Sequence, residues 1–362
     1  PGVALTAAQM KELTSDMVWL VKREVILKDG STTQVLVPQV YIVGRNTDVD
    51  GSGAVISANE IVADLDNVSN SGVITGRHLN YLHANNIENN GGVLQGHQMY
   101  LLAKQRLQNL GGEWRGTHVV GQGQNIRVLS TLTETANTEH DYQKSIDRTA
   151  MINVGDTQAR GSLVLYANED ITLKGAQVNV QGGADIRAGN RLNFATLETE
   201  SKQNYVNDAD NYYKLHRKQE IGNRLNIEAN ALLEGRRSVE MKGASITGNG
   251  TMRVLSDGDI LIRESRSYED LSAGSKSVAK NLVNKTTTTR KHEHRYDLAQ
   301  ASEFDADKVI LQSNHGNVSV QGSNVVAENG LWAKGKNIEI KEAENRVYSQ
   351  DIEMKQKSGL MG

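Results

Sequence analysis

Apolar residues in this chain fall in short alternating runs of three to five positions, each closed by Gly, Asn or Asp. That is the pattern of half-buried strands broken by turns. Between residues 51 and 129 the pattern returns about every 20 residues, the mark of a repeat architecture. Ser71-Gly72-Val73-Ile74-Thr75-Gly76 recurs as Gly91-Gly92-Val93-Leu94-Gln95-Gly96 and again as Gly111-Gly112-Glu113-Trp114-Arg115-Gly116. Leu79, Tyr81 and Leu82 are matched to Met99, Leu101 and Leu102, and Ile87 to Leu107. A looser first copy is Ala54-Val55-Ile56-Ser57-Ala58 with Ile61.

A second pattern reaches the C-terminus. Ile171-Thr172-Leu173-Lys174-Gly175-Ala176-Gln177-Val178 matches the eight residues from Val239 to Ile246 and those from Val318 to Val325. Leu163-Val164-Leu165, Leu225-Asn226-Ile227 and Val309-Ile310-Leu311 lie upstream of the three copies. Leu192-Asn193-Phe194, Ile260-Leu261-Ile262 and Ile338-Glu339-Ile340 lie downstream. Strands this short, with no helical spacing between them, exclude crossover helices. Parallel pairing then requires the chain to wind as a solenoid, each turn stacked about 4.8 Å above the last. Alternation points Val, Ile and Leu inward, and Gly supplies the corners. The expected fold is all-β, a right-handed parallel β-helix of about eleven coils, on the order of 50 Å long. An antiparallel sandwich has similar strands but gives no reason for a fixed period.

Residues 1–50 read differently, as a lead-in or cap. Thr6-Ala7-Ala8-Gln9 has capping-box spacing ahead of Met10, Leu13 and Met17, which predicts a short helix. The runs Val18–Leu27 and Val35–Val43, joined through Asp29-Gly30, predict a β-hairpin, and Pro38 places its second strand at an edge. Residues 51–362 are the solenoid. Three polar excursions interrupt it, at about 130–159, 197–220 and 264–303.

Composition narrows the reading. Only 38% of the 362 residues are hydrophobic and 4% aromatic, thin for a thick core but enough for a narrow stack. Pro1 and Pro38 are the only prolines among 34 glycines, so neither a collagen nor a Pro-rich coil is at hand. Absence of Cys removes disulfides, thiolate metal sites and thiol nucleophiles, and a net charge of −3 gives no general attraction to nucleic acid. The chain starts at Pro1 without a signal pattern and reads as an excerpt from something longer.

The excursions hold Tyr142, Tyr205, Tyr212, Tyr213, Tyr268 and Tyr296, six of the eleven tyrosines. Tyr offers a large amphipathic surface, so these are the candidate partner contacts; packing on the rod is the plainer alternative. Other candidates carry less. Asp170, Asp257 and Asp259 sit beside turns and do not recur in phase, as a glycosidase pair would need. His292 and His294 share a strand face, but flanking cations oppose a metal there. Gly182-Gly183-Ala184-Asp185-Ile186 lacks the repetition of a calcium nonapeptide, and Gly121-x-Gly123 reads as a corner. Trp114 and Trp332 lie at repeat positions, where core or coil-edge packing is expected. No catalytic residue, cofactor or metal is expected.

With these residues in view, the sequence resembles the filamentous-hemagglutinin repeats of two-partner-secretion exoproteins, most of all the second repeat region of contact-dependent growth inhibition exoproteins. The likeness rests on Leu5-Thr6-Ala7-Ala8-Gln9-Met10 with the segment from Leu13 to Val21, on the glycine-bearing coils 68–118, and on Lys285-Thr286-Thr287-Thr288-Thr289-Arg290. Gly322-Ser323-Asn324-Val325-Val326 and Lys357-Ser358-Gly359-Leu360 extend it. The resemblance implies a Gram-negative surface or secreted location, export through an outer-membrane two-partner-secretion transporter, and no enzyme activity in this region. It also implies a shaft that delivers a C-terminal toxin towards a target-cell outer membrane or surface receptor. The alternatives are an adhesin segment for host cells or glycans and, more remotely, a polysaccharide-degrading β-helix. A rod with covered edges is expected to be monomeric.

Overall fold

The structure, a computed structural model, describes residues 17–26, 32–41, 54–136, 140–156 and 158–359. It divides into two units, 1–53 and 54–362. In the first, Met17–Ile26 and Thr32–Tyr41 form an antiparallel two-stranded sheet in which Leu20 faces Pro38. The two strands pair as the expected hairpin does, and among the described residues Pro38 lies on an edge strand. The helix expected after Thr6 lies outside the described residues.

The second unit is a β-helix carrying an extra sheet. Val55, Val73, Val93, Glu113, Met151, Gln177, Arg224, Ser245, Glu303 and Asn324 pair successively in parallel, each opening one coil. These residues mark ten coils among the described residues, about 45 Å of rod. Each coil has three walls. Along the first wall Leu94, Trp114, Ile152, Val178, Leu225, Ile246 and Phe304 stack inward; along the third, Leu107, Ile126, Ile171, Leu192, Val239, Ile260 and Val318 do the same, all essentially buried. Polar residues alternate outward, so a 38% hydrophobic chain suffices for the core.

Four details differ from the sequence reading. The count is ten rather than eleven, because Arg346–Gly359 leaves the rod as a long strand. Leu82 pairs with Leu101 and Tyr81 with Tyr100, not with the residues 20 further on, because the register shifts by one between Gly76 and Leu79. Side chains alternate faces, so that single step decides which of them point inward; it brings the Tyr81 and Tyr100 rings to 6.0 Å on the outside. Leu225 belongs to the first wall, while Leu163 and Val309 share the second with Ala231. Trp114 is fully buried, but Trp332 in the last coil points outward and is half exposed.

The 171–178, 239–246 and 318–325 copies sit two coils apart, and the corner after the third wall explains why. At Gly111, Gly175, Gly243 and Gly322 this corner is a tight turn with φ between 49° and 59°, open to glycine but strained for other residues. In the intervening coils the same corner is replaced by a projecting hairpin. The first pairs Leu132–Ala136 with Asp141–Ile146, the second Leu197–Val206 with Tyr212–Ile221, and the third Ser265–Lys280 with Asn284–Gln300. The last coil releases the closing strand Arg346–Gly359. Buried polar side chains anchor each exit. Asn223 accepts the Ala176 N–H at 2.9 Å and donates to the Ala195 carbonyl at 2.9 Å. Ser302 accepts the Ala244 N–H at 2.9 Å and donates to the Arg263 carbonyl at 2.7 Å. In the first coils Asn70, Asn89 and Asn109 form a buried amide ladder at 2.8 and 3.0 Å.

Gly175 and Gly243 are confined by the hairpin roots as well as by φ: an added Cβ would lie 2.6 Å from Leu197 Cδ1 in one and 2.5 Å from Ser265 Cβ in the other. Gly175→Ala and Gly243→Ala should therefore each cost more than about 1 kcal/mol, lowering Tm in thermal circular dichroism. Gly330→Ala, with nothing within 4 Å of its Cβ position, should leave Tm within error of the parent.

Candidate functional site

The three hairpins and the closing strand join into one seven-stranded antiparallel sheet, separate from the coil walls. All six candidate tyrosines lie in it. Pairing register divides them between its faces. Tyr142, Tyr212 and Tyr268 share one, with Tyr348 of the closing strand; Tyr205, Tyr213 and Tyr296 share the other.

On the first face a straight row crosses six strands, Tyr142 opposite Lys202, then His216, Asp270, Arg295 and Tyr348. Lys202 Nζ stands 5.2 Å from the Tyr142 ring centre, a cation–π distance. His216 lies edge-on to Tyr268 at 5.7 Å, and Arg295 Nε donates to Asp270 at 3.0 Å. Glu200 takes Lys202 at 2.9 Å and His216 at 2.7 Å. Burial pushes the Glu200 carboxyl up, but hydrogen bonds from Lys202 and His216, with the charges of Lys202 and Lys218, outweigh it and hold the group below the usual range. A groove of about 450 Å³ opens over this row, lined among others by Lys202, Lys214, His216, Asp270, Arg295 and Tyr348.

On the opposite face Tyr205 and Tyr213 are directly paired, and Tyr296 faces Glu269. Glu269 is nearly buried, accepts Arg217 Nε at 2.6 Å, and accepts the Tyr296 hydroxyl at 3.3 Å. Tyr205 donates to Asp141 at 2.5 Å. These surroundings raise the phenols: burial first and then Glu269 for Tyr296, burial and then Asp270 for Tyr268, the Asp141 hydrogen bond for Tyr205. They remain neutral donors well above neutral pH.

The candidate aspartates fall in the coils, and the histidine pair lies in the third hairpin's return strand. Asp170 and Asp259 each accept a backbone N–H, from Arg191 at 3.0 Å and from Asn317 at 2.8 Å, so they tie one coil to the next rather than closing their own turns. Asp257 accepts from Asn314 Nδ2 at 2.7 Å. His292 and His294 do share a strand face, their rings 6.4 Å apart and nearly parallel, but His292 is bound to Asp351 at 2.6 Å. Sequence reading missed Tyr348 and the Arg217–Glu269 and Asp270–Arg295 pairs. Tyr348 had a signal: residues 346–358 contain no glycine and form one fourteen-residue strand with Gly359, whereas the coil strands from residue 303 on run four to eleven residues.

The family pattern described as Hemagglutinin repeat matches residues 283–360, which span the third hairpin's return strand, the last two coils and the closing strand. The chain is 26% identical over 262 residues to the tRNA nuclease CdiA of Yersinia mollaretii, covering 68% of this chain and 8% of that protein. It is 23% identical over 295 residues to the tRNA nuclease CdiA of Escherichia coli, covering 78% and 9%. Residues 283–360 thus carry a hemagglutinin repeat, and most of the chain is similar to CdiA-type proteins. It also matches the protein adenylyltransferase and cysteine protease IbpA of Histophilus somni, 38% identical over 93 residues, 24% of this chain and 2% of the relative. The chain thus spans less than a tenth of the length of these relatives. No solved structure matches it.

Glu200 makes the projecting sheet acid-sensitive. A carboxyl whose folded pKa is lowered contributes stability that is complete above its unfolded value and is lost as pH falls through the lowered folded value. On acidification into and below the usual glutamate range, amide-exchange protection at 198–219 should therefore fall before protection at 171–174 in the rod. Simultaneous loss in both segments would show that the Glu200 network does not hold the sheet.

Proposed function

We propose that this chain is a non-catalytic, rigid shaft segment of a large exoprotein, displayed on the surface of a Gram-negative cell after export through an outer-membrane two-partner-secretion transporter. Its task in that setting is to present a C-terminal toxin to neighbouring bacteria. The observation that carries this reading is the ten-coil stack paired in parallel from Val55 to Asn324, with similarity to CdiA-type proteins over most of the chain. Such a stack resists bending because each coil is hydrogen-bonded along three walls to the next. Length and stiffness are what a delivery shaft requires.

The projecting sheet is the surface proposed to meet the target-cell outer membrane or a receptor on it, through Tyr142, Tyr212, Tyr268 and Tyr348 on one face and Tyr205, Tyr213 and Tyr296 on the other. Those rings are only partly covered by their own strands and stand among alternating charges, a composition suited to specific polar contact. The same exposed tyrosines favour a second reading, an adhesin segment that binds host cells or glycans.

The purified chain, fluorescently labelled, is expected to bind intact Gram-negative bacteria without turning over polysaccharides. Replacing residues 266–299 by a short Gly-containing turn should preserve the β-sheet circular dichroism of the rod and reduce binding at least about tenfold, as loss of a central contact cluster does. Binding to epithelial cells alone would transfer the assignment to adhesion. Unchanged binding by the shortened chain would remove the sheet as the contact surface.

A further inference from the structure

Outward positions on two walls of the rod follow the alternation rule. Gln95, Asn153, Asn179 and Asn226 stand in one row on the first wall, and Gln108, Thr172, Asn193 and Ser319 in one row on the third. The second wall breaks the rule. From the second coil to the ninth its outward row is Tyr81, Tyr100, Val120, Val164, Leu232 and Ile310, interrupted by Asp185 and Arg253 alone. All six are partly exposed, while Leu101, Val119, Leu163, Leu233 and Val309 beside them point inward and are buried. Leu163-Val164-Leu165, Ala231-Leu232-Leu233 and Val309-Ile310-Leu311 are therefore unbroken apolar runs, which is what strands covered on both faces have. Each of these coils lies between two others, so neither end of the chain creates the exposure. Monomeric behaviour was expected of a rod with covered edges; the open surface here is a face.

The row is complementary to itself reversed. Two rods can lie antiparallel with their second walls together, about a twofold axis running between the Val164 and Asp185 strands. Tyr81 of one copy then faces Ile310 of the other, Tyr100 faces Arg253, and Val120 faces Leu232. In the outward row beside it, Leu102 faces Leu255 and Tyr166 faces Arg187. Arg253 is exposed and has no ion-pair partner among the described residues, and the Tyr100 ring offers it a cation–π contact. Asp185 falls against Val164 but keeps both hydrogen bonds from its own Arg187, at 2.6 and 2.7 Å. Other arrangements lose this fit. Rods packed parallel oppose Asp185 to Asp185 and Arg253 to Arg253. Moving the axis onto the Asp185 strand opposes Asp185 to itself, and moving it onto the Val164 strand sets Glu234 on Leu102. Like charges face to face, and a charge covered by an apolar group, both cost free energy. Three outward positions per coil give the face roughly 24 residues over eight coils, within the 20–30 a side of a standard interface. The twofold axis also runs the strands of the two walls in line, the arrangement in which sheets pack face to face about 10 Å apart.

We propose that the outward face of the second wall is an interface between two copies of this chain, packed antiparallel about an axis between Val164 and Asp185.

In sedimentation the intact chain should form a dimer. Leu232→Glu and Val120→Lys should each weaken association about tenfold or more, as charges placed in the centre of an apolar contact do. Both should keep the parent's circular dichroism, because the inward Leu233 and Val119 are untouched. Mixed in equal amounts, the two variants should recover a heterodimer, since the introduced lysine and glutamate face each other only in this arrangement. Thr172→Glu, on the polar third wall, should associate as the parent does. The proposal is overturned if the parent chain is monomeric at its highest soluble concentration, or if Leu232→Glu associates as tightly as the parent. A mixture that associates no better than its components would overturn it equally. A monomeric chain that binds lipid vesicles or soluble polysaccharide, and loses them on Leu232→Glu, would assign the face to that ligand instead and overturn self-association.

Discussion

Everything in the coil unit depends on the distance between two hydrogen-bonded strands, about 4.8 Å. That spacing sets the rise of one coil. It also sets the width of one strand in the projecting sheet. Two coils rise by the width of two strands, and a hairpin is two strands wide. Hairpins leaving from every second coil therefore meet edge to edge, and the corner between them must be as short as glycine can make it. The Gly175 and Gly243 turns and the Leu197 and Ser265 hairpin roots are two halves of one arrangement, which is why they nearly touch.

The two layers reach order by different means. In the rod a closed apolar ladder fixes register, since a slip by one residue would turn Leu94 or Ile171 to water. The projecting sheet has polar residues on both faces and no such ladder. Its register is held by cross-strand ion pairs such as Arg217 with Glu269 and Arg295 with Asp270, and by roots spaced by the rod. Buried Asn223 and Ser302 sit at the junction and bond to both neighbouring corner strands. Local stability is thus expected to be highest inside the coils and lower in the layer that faces partners.

Much of this was legible in the sequence. The inward ladder follows from alternation, so Ile171, Val239 and Val318 identified themselves as equivalent positions. The hairpin before residue 50 followed from two apolar runs flanking Asp29-Gly30. Register inside a coil was harder: glycine spacing around 76 and 96 suggested an even step of 20, while a one-residue irregularity at the next corner put Tyr81 against Tyr100. Trp332 read as core or coil-edge packing because it lies at a repeat position, and the pairing of Leu331 with Val309 turns it outward. The tyrosine-rich stretches stood out by composition, but their assembly into one sheet rests on contacts between separate hairpins far apart in sequence, as between Asp141 and Tyr205. Unequal hairpin lengths hid the two-coil alternation.

That alternation has a consequence for how such rods can lengthen. A single added coil would insert one strand-width of rise between neighbouring hairpins and open a gap in the sheet beside it. Two added coils, one closed by glycine and one by a hairpin, restore both layers together. The heritable unit of growth is therefore the coil pair, and rods built this way should differ in length by even numbers of coils wherever the outer sheet is kept intact.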